Sequence, residues 1–372
     1  METIYNSQSE VASHTEVPFD VRHSVMEQVK LSEQADVKQI GEQARSAILI
    51  SKEHREQIQK LMGVNKYEQL RAYIAEQKRN QAKSLLPPHG PEMSIEELEK
   101  HDEKRQKEAL TFIRELGINA NQLKALGEQT RKRLADLIPP APTEKGKPVI
   151  LVLPDEVPAD IRAGKTNPWT AVHPPYPGWA WSYNGWLSGF SFSPTLFLNQ
   201  TTGLVGNSNY LSDSDASDAD VGYIEYLASV GFWYQMPSTG LVEVWIEGQS
   251  GSSHHHLSLW DEWGWSDSSA YQRNYLTLKA TGSSTSELRR SQMSWFYETG
   301  YTDGNWDNHY LTDGNIYWAH LFSDISFAAG SWVYVEVGMR NWNYCYANDV
   351  EVYSDVNFKW FIKSVWVEST GG

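Results

Sequence analysis

The sequence predicts a multidomain chain with a helical N-terminal segment followed by an antiparallel β-sandwich or jelly roll. Three observations predict it. All 16 Trp lie at or after Trp169. Charge divides at nearly the same place: residues 1–147 hold 23 basic and 23 acidic residues, whereas residues 148–372 hold 9 and 24. The whole net charge of −15 therefore sits in the second part. The apolar period also changes, from steps of three and four to steps of two. Two stretches this different are expected to be separable folding units.

Residues 1–22 are polar, with Pro18 near their end, and read as a flexible arm. Residues 23–138 read as helices that anchor or oligomerise the chain. Ser24 and Glu27 have capping-box spacing, which predicts a helix start. Val37, Ile40, Ala44, Ala47, Ile58 and Leu61 then recur in steps of three and four, with Ser51 and His54 between them. That is a heptad-like seam of the kind found in bundles and coiled coils. Gly63 is a natural stop. A second helix is predicted from Lys66 to Leu86, a third from Ser94 to about Gly117, and a fourth from Asn121 to Ile138. Residues 139–148, "PPAPTEKGKP", form a Pro-rich, semi-rigid linker.

In residues 149–372 the period is two. "LVEVWIEG" sets Val242, Val244 and Ile246 on one face, with Glu243, Trp245 and Glu247 opposite. "SWVYVEVGM" sets Val333, Val335 and Val337 against Trp332, Tyr334 and Glu336. "NIYWAHLF", "QMSWFYE" and "FKWFIKSVWVE" are further strands. About ten short runs between Gly, Asn, Asp and Ser indicate a sandwich. No strand alternates with a long helix, which argues against parallel α/β folds.

Composition excludes several classes. An acidic surface repels a phosphate backbone, so no nucleic-acid partner is expected. No stretch approaches ~18 consecutive apolar residues, so no membrane span is expected. The first twenty residues lack a basic segment followed by an apolar run, which predicts cytoplasmic synthesis without a secretory signal. Any exit then requires lysis or a dedicated machine, as for part of a released particle. Cys345 is the one cysteine, so neither an internal disulfide nor a Cys-based zinc site is expected. Its aromatic setting, "NWNYCYAND", suits a core residue.

Three stretches carry candidate chemistry. "TDGNWDNHYLTDGN" contains two Asp-Gly turn signals, at Gly304 and Gly314, which predict hairpin ends flanking Trp306 and His309. Its Asp303, Asn305 and Asp307 also have the alternate oxygen spacing of calcium loops, although Asn308 and Gly314 exclude an EF-hand. "DSDASDAD" offers Asp213, Asp215, Asp218 and Asp220 as a solvated loop or a second calcium site. Calcium is accordingly the single cofactor considered for a chain otherwise expected to need none. The third stretch runs over residues 248–261: Gly248, five residues, His254, one residue, His256, four residues and Asp261. It resembles the first metal-binding motif of the cupin family. The resemblance implies a metalloenzyme that uses His254, His256 and Asp261 for a transition metal. The family usually carries Glu at the position of Asp261, has Gly where Ser268 stands, and has a second motif that is absent downstream.

The remaining signal is aromatic. Trp245, Trp332 and Tyr334 share strand faces with Glu; Trp260, Trp263 and Trp265 lie among acids; Trp306 and Trp342 lie among Asn and Asp. Such rings suit glycan stacking, a protein interface, or cover by the chain's own helices. The reading is a non-enzymatic structural or attachment protein, of the kind found in virus-like or phage-like assemblies. Its helices would anchor it in a homo- or hetero-oligomer while its sandwich presents an aromatic surface to protein or glycan. A free lectin and a cupin-like enzyme are the alternatives.

Overall fold

The computed structural model describes residues 3–7, 17–85, 104, 107–108, 110–137, 157, 159–163, 169–176, 180–187, 191–213, 219–261, 269–282, 289–292, 304–308, 314–348 and 350–370. Helices α1 (Phe19–Met62), α2 (Val64–Leu85), α3 (Ala120–Ala135) and the single turn α4 (Ala159–Arg162) precede most of the strands. Residues 110–115 are also helical. Helix α1 opens at Phe19 behind Pro18, five residues before the Ser24 signal. Proline presets φ for a first helical turn, and the Arg22 N–H already bonds the Pro18 carbonyl at 2.9 Å. Gly63 ends α1 as expected, at φ +83°, with its N–H on the Gln59 carbonyl at 2.8 Å. The Asn119 side chain caps α3 by accepting from the N–H groups of Asn121 and Gln122. The Ser94 start and the 139–148 linker lie outside the described residues.

The seam residues Ala47, Ser51, His54 and Ile58 are buried. They pack within the chain: His54 Nδ1 meets Thr130 Oγ1 of α3 at 2.8 Å, and Arg133 of α3 pairs with Glu53 at 2.7 Å. Ile58 and Met62 join Tyr67, Leu70, Ile113 and Ile118 in one apolar cluster. Leu61, predicted in the seam, is exposed, and Met62 takes its inward place. Side chains of Val37, Ile40 and Ala44 are outside the description.

Thirteen strands among the described residues form two antiparallel sheets. The first has the order β1 (Thr3–Ser7), β3 (Ala180–Leu187), β6 (Ala219–Gln235), β12 (Trp332–Asn348), β8 (Ser269–Gly282) and β9 (Arg289–Gln292). The second has the order β10 (Gly304–Asn308), β7 (Gly240–Asp261), β13 (Val350–Thr370), β5 (Leu204–Asp213) and β4 (Ser191–Asn199). Strand β11 (Ile316–Phe327) continues along the edge of β7 that β10 begins, and β2 (Thr170–Val172) pairs with β13. The two inner faces make the core. Val242, Val244 and Ile246 meet Val333, Val335 and Val337 in it, with Leu278, Phe358 and Trp360. The expected alternation thus places its apolar face inward on both strands. At one end this core turns polar. Buried Asn209 donates to Asn207 (2.9 Å) and Asn341 (3.0 Å) and accepts from Asn343 (2.8 Å), joining β5 to β12 across the sandwich.

Several strands are longer than the short runs the sequence suggests; β7 has 22 residues and β13 has 21. Their register shifts twice. Trp360 pairs with Ser250 and Lys359 with Ser252, so Gly251 is an extra residue on β7. Ile362 pairs with Gly248 and Ser364 with Glu247, so Lys363 is extra on β13. Each bulge inverts which residues face the core beyond it.

Two described parts of the first thirty residues pack on the sandwich. Thr3–Ser7 of the supposed flexible arm form β1, paired with Ala180–Asn184 of β3. The start of α1 lies on the outer face of the first sheet, where Val25 and Val29 bury Tyr334 with Trp233 alongside. Gly231 makes room for that ring: a Cβ there would come 2.2 Å from Tyr334 Oη.

Candidate functional site

On the outer face of the second sheet, register aligns three strands into a grid. Across β11, β7 and β13 its rows are Trp318–Glu247–Ser364, His320–Trp245–Trp366 and Phe322–Glu243–Glu368. Directly opposed residues in antiparallel strands have Cβ atoms about 4.5–5.5 Å apart, so each row is a set of touching neighbours. Val157, Ile161 of α4 and Trp169 pack over Trp318 and Trp366 and close one end. Under this cover Ser364 Oγ donates to Glu247 Oε2 at 2.6 Å, and Trp366 Nε1 donates to Ser364 Oγ at 3.2 Å.

The other end is open. The His320 ring stacks on Trp245 (centroids 4.1 Å, planes 13° apart), and Phe322 leans on His320 at 4.4 Å. Phe322 is 38% exposed, the one large apolar side chain of the described strands that is exposed to this degree. His320 Nε2 donates to Glu243 Oε1 at 2.5 Å. The result is an aromatic step beside two neighbouring carboxylates, Glu243 and Glu368. Burial pushes the Glu368 carboxyl above the usual range; the Glu243 carboxylate pushes it further, and His320 pulls it partly back. A raised carboxyl favours the neutral form in the fold, so its charge opposes folding at neutral pH, and this opposition fades as pH falls through the raised value. Glu368→Gln is therefore expected to raise the melting temperature at pH 7, with the gain gone by about pH 4, near the ordinary Glu value. Melts of both proteins across that range check it; an equal gain at every pH refutes it.

Of the residues singled out from sequence, Trp245 sits at the centre of this grid. Tyr334 does not belong to a binding surface, because α1 buries it completely. Trp332 is half-buried on the outer face of the first sheet. Trp342 lies in β12, in register with Glu225 and Arg273, and its side chain is outside the description. Trp306 lies in β10, in register with Leu257 of β7, and its side chain is outside the description. Gly314 has the positive φ of a turn (+82°), and its N–H bonds the Ser250 carbonyl at 2.7 Å, but Gly304 is the first residue of a strand opposite Leu259. Asn305 and Asp307 are likewise in that strand, and their side chains are outside the description. Asp213 ends β5 in one sheet and Asp220 lies in β6 of the other, so the acidic run bridges two sheets.

His254, His256 and Asp261 all lie in β7, and their side chains are outside the description. Register is continuous from His254 to Asp261, so Asp261 takes the face opposite to both histidines. Asp303, Asp215, Asp218, Trp263, Trp265 and His309 lie outside the described residues. Trp260 lies in β7, in register with Glu351, and its side chain is outside the description. Cys345 is buried in the core. Sequence reasoning missed Phe322 and Glu368, and did not bring His320 to Trp245, because the neighbours of β7 are set by a long-range pairing with no local signal. No helix among the described residues is long and apolar enough to cross a membrane.

No family model matches the chain, and no curated protein matches it. Among solved structures there is similarity to the enzymatically active domain of bacteriophage CBA120 tailspike protein 4, at 6% identity and TM-score 0.15. It covers 50% of this chain, which spans only 19% of that one. TmCBM61 in complex with β-1,4-galactotriose is similar at 8% identity and TM-score 0.13, over 47% of this chain and 90% of its own. The family 11 carbohydrate-binding module from Clostridium thermocellum, in complex with a β-1,3-1,4-mixed-linked tetrasaccharide, is similar at 12% identity and TM-score 0.12, over 52% of this chain and 96% of its own. Likeness at these TM-scores carries no argument about this chain.

Proposed function

We propose that the chain is a non-enzymatic attachment protein whose helices anchor it in a larger assembly and whose β-sandwich holds a glycan on the open end of the outer shelf. One observation carries the reading: the exposed Phe322 and the stacked His320–Trp245 pair lie beside the adjacent carboxylates Glu243 and Glu368. A sugar ring offers an apolar C–H face and a rim of hydroxyls. Aromatic faces supply the apolar contact, and charged acceptors hold hydroxyl groups strongly. A few placed polar groups in an aromatic setting fix a ligand's orientation. Glu243 is itself fixed by His320, which lowers the cost of ordering it on binding. The anchoring part is supported by exposed Leu31, Ile48, Leu49, Leu61 and Val64 on α1 and α2, apolar surface of the kind that partners cover.

Glycan-array screening of the full chain, followed by calorimetry on the best oligosaccharide, tests the reading. Phe322→Ala is expected to weaken binding about tenfold, equivalent to ~1.4 kcal/mol, and to leave the melting temperature unchanged. Absence of any retained oligosaccharide, or full affinity in Phe322→Ala, would sink the glycan assignment. Release of a shortened sugar from the bound oligosaccharide would sink the non-enzymatic one.

A further inference from the structure

The three strand segments that build the shelf, residues 240–249, 316–327 and 364–370, contain no Lys or Arg. They do contain Glu243, Glu247, Asp324 and Glu368. Glu247 is engaged under the cover, where it accepts from Ser364. At the open end Glu243 of β7 and Glu368 of β13 stand directly opposite each other in register. Among the described residues neither has a Lys or Arg partner, and the basic group beside them is His320, on Glu243. Even with that imidazole protonated, the two carboxylates and one histidine keep a net negative charge. The Glu243 side chain is 11% exposed, so water and salt screen its charge poorly. The arrangement does not ask for a metal: among the described residues no three His, Cys, Asp or Glu are grouped to hold one.

We propose that the open end of the shelf takes a glycan bearing free amines, a 2-amino-2-deoxy sugar whose ammonium sits against Glu368. The inference rests on the glycan reading of this shelf and names the charge of the sugar. One ring of an amino sugar presents both things for which the shelf has partners. Its C–H face suits the exposed Phe322, and its cation suits the carboxylate pair. An ammonium donates charge-assisted hydrogen bonds to a carboxylate, about twice as strong as neutral ones. An aromatic face near the ammonium adds a cation–π attraction. A neutral sugar leaves the two carboxylates repelling each other. Burial and then the Glu243 charge push the Glu368 carboxyl up, and an ammonium at this place opposes the second cause. Charge on the wider surface acts in the same direction: residues 148–372 hold 24 acidic and 9 basic residues, and a surface of one sign steers in ligands of the other.

The test uses three tetrasaccharides with one β-1,4-linked backbone that differ at C2 alone: chitotetraose with free amines, its fully N-acetylated counterpart, and cellotetraose with hydroxyls. Calorimetry on the full chain at about pH 6, where an amine is charged, should show chitotetraose bound at least about tenfold more tightly than the other two. The advantage should shrink as salt is added. Glu368→Gln should weaken chitotetraose about tenfold and the uncharged sugars far less, because Gln keeps an acceptor for a hydroxyl. Circular dichroism reports the folding of that variant, and Glu243→Gln takes its place if it does not fold. Phe322→Ala should weaken all three sugars alike, since it removes the stacking face that the glycan reading needs. Equal affinity for the three sugars, with all three weakened in Phe322→Ala, overturns the amine and leaves the glycan reading standing. Unchanged chitotetraose affinity in the folded Glu368→Gln overturns the amine too, as does failure to bind chitotetraose at all. Tetralysine bound as tightly as chitotetraose, and weakened as much by Glu368→Gln, overturns the sugar in favour of a basic peptide.

Discussion

Trp360→Ala is expected to cost the fold about 3 kcal/mol, the lower end of the range for truncating a buried aromatic. The indole is completely buried, and its ring stacks near Phe358 at 6.2 Å. The lower end is chosen because Trp360 Nε1 is buried without a hydrogen-bond partner, so the truncation also removes a costly donor. Gly248 is the other half of this fit: a Cβ there would stand 1.3 Å from Trp360 Nε1. Gly248→Ala alone therefore forces the indole out of its place, at ~3 kcal/mol or more, because a packed core cannot yield that far. The two changes should not add. Once the indole is gone the new methyl has room, so the double variant should be less destabilised than the sum by 1 kcal/mol or more. Urea denaturation of the three variants checks this, and strict additivity would show that the two positions do not share one space.

The second large effect is expected from deleting residues 1–30. This removes β1 and uncovers Tyr334, which Val25 and Val29 now bury. Each such side chain stabilises by about 1.5–3 kcal/mol, an upper estimate because the unfolded chain already buries part of that surface. A net loss of ~4 kcal/mol is therefore expected, together with a tendency to associate through the bared face of the first sheet. A fragment starting at residue 149, expected from sequence to stand alone, should show the same weakness. Thermal melts of full-length and truncated chains decide; equal melting temperatures would mean that α1 rests on the sheet without supporting it.

What was legible in the sequence follows from what is local. Period-two alternation placed Val242, Val244, Ile246, Val333, Val335 and Val337 inward, because pleating forces it. Gly63 as a helix stop was legible because αL or extended φ > 0 needs no partner. The helix starts before Ser24 because Pro18 presets the first turn and Val21 in that turn packs against the Tyr334 cluster. Cover of the outer face of β12 by the chain's own helices was one of three readings left open, because nothing in "SWVYVEVGM" tells that α1, some 300 residues earlier, lies over Tyr334. The shelf was half legible: Glu243 and Trp245 were on the right face, but Phe322 and Glu368 arrive through pairings of high sequence separation.

Gly251 carries a consequence of its own. One uncounted residue works on β7 as a single inserted letter works on a reading frame. Upstream of it odd numbers face outward, and downstream even numbers do. The same chain letters, shifted by one, would exchange the two faces of every residue beyond it. The chemistry offered by the far half of β7 is thus written in backbone length as much as in side chains. A relative lacking that one glycine could keep every histidine and still show its surroundings an unrelated face.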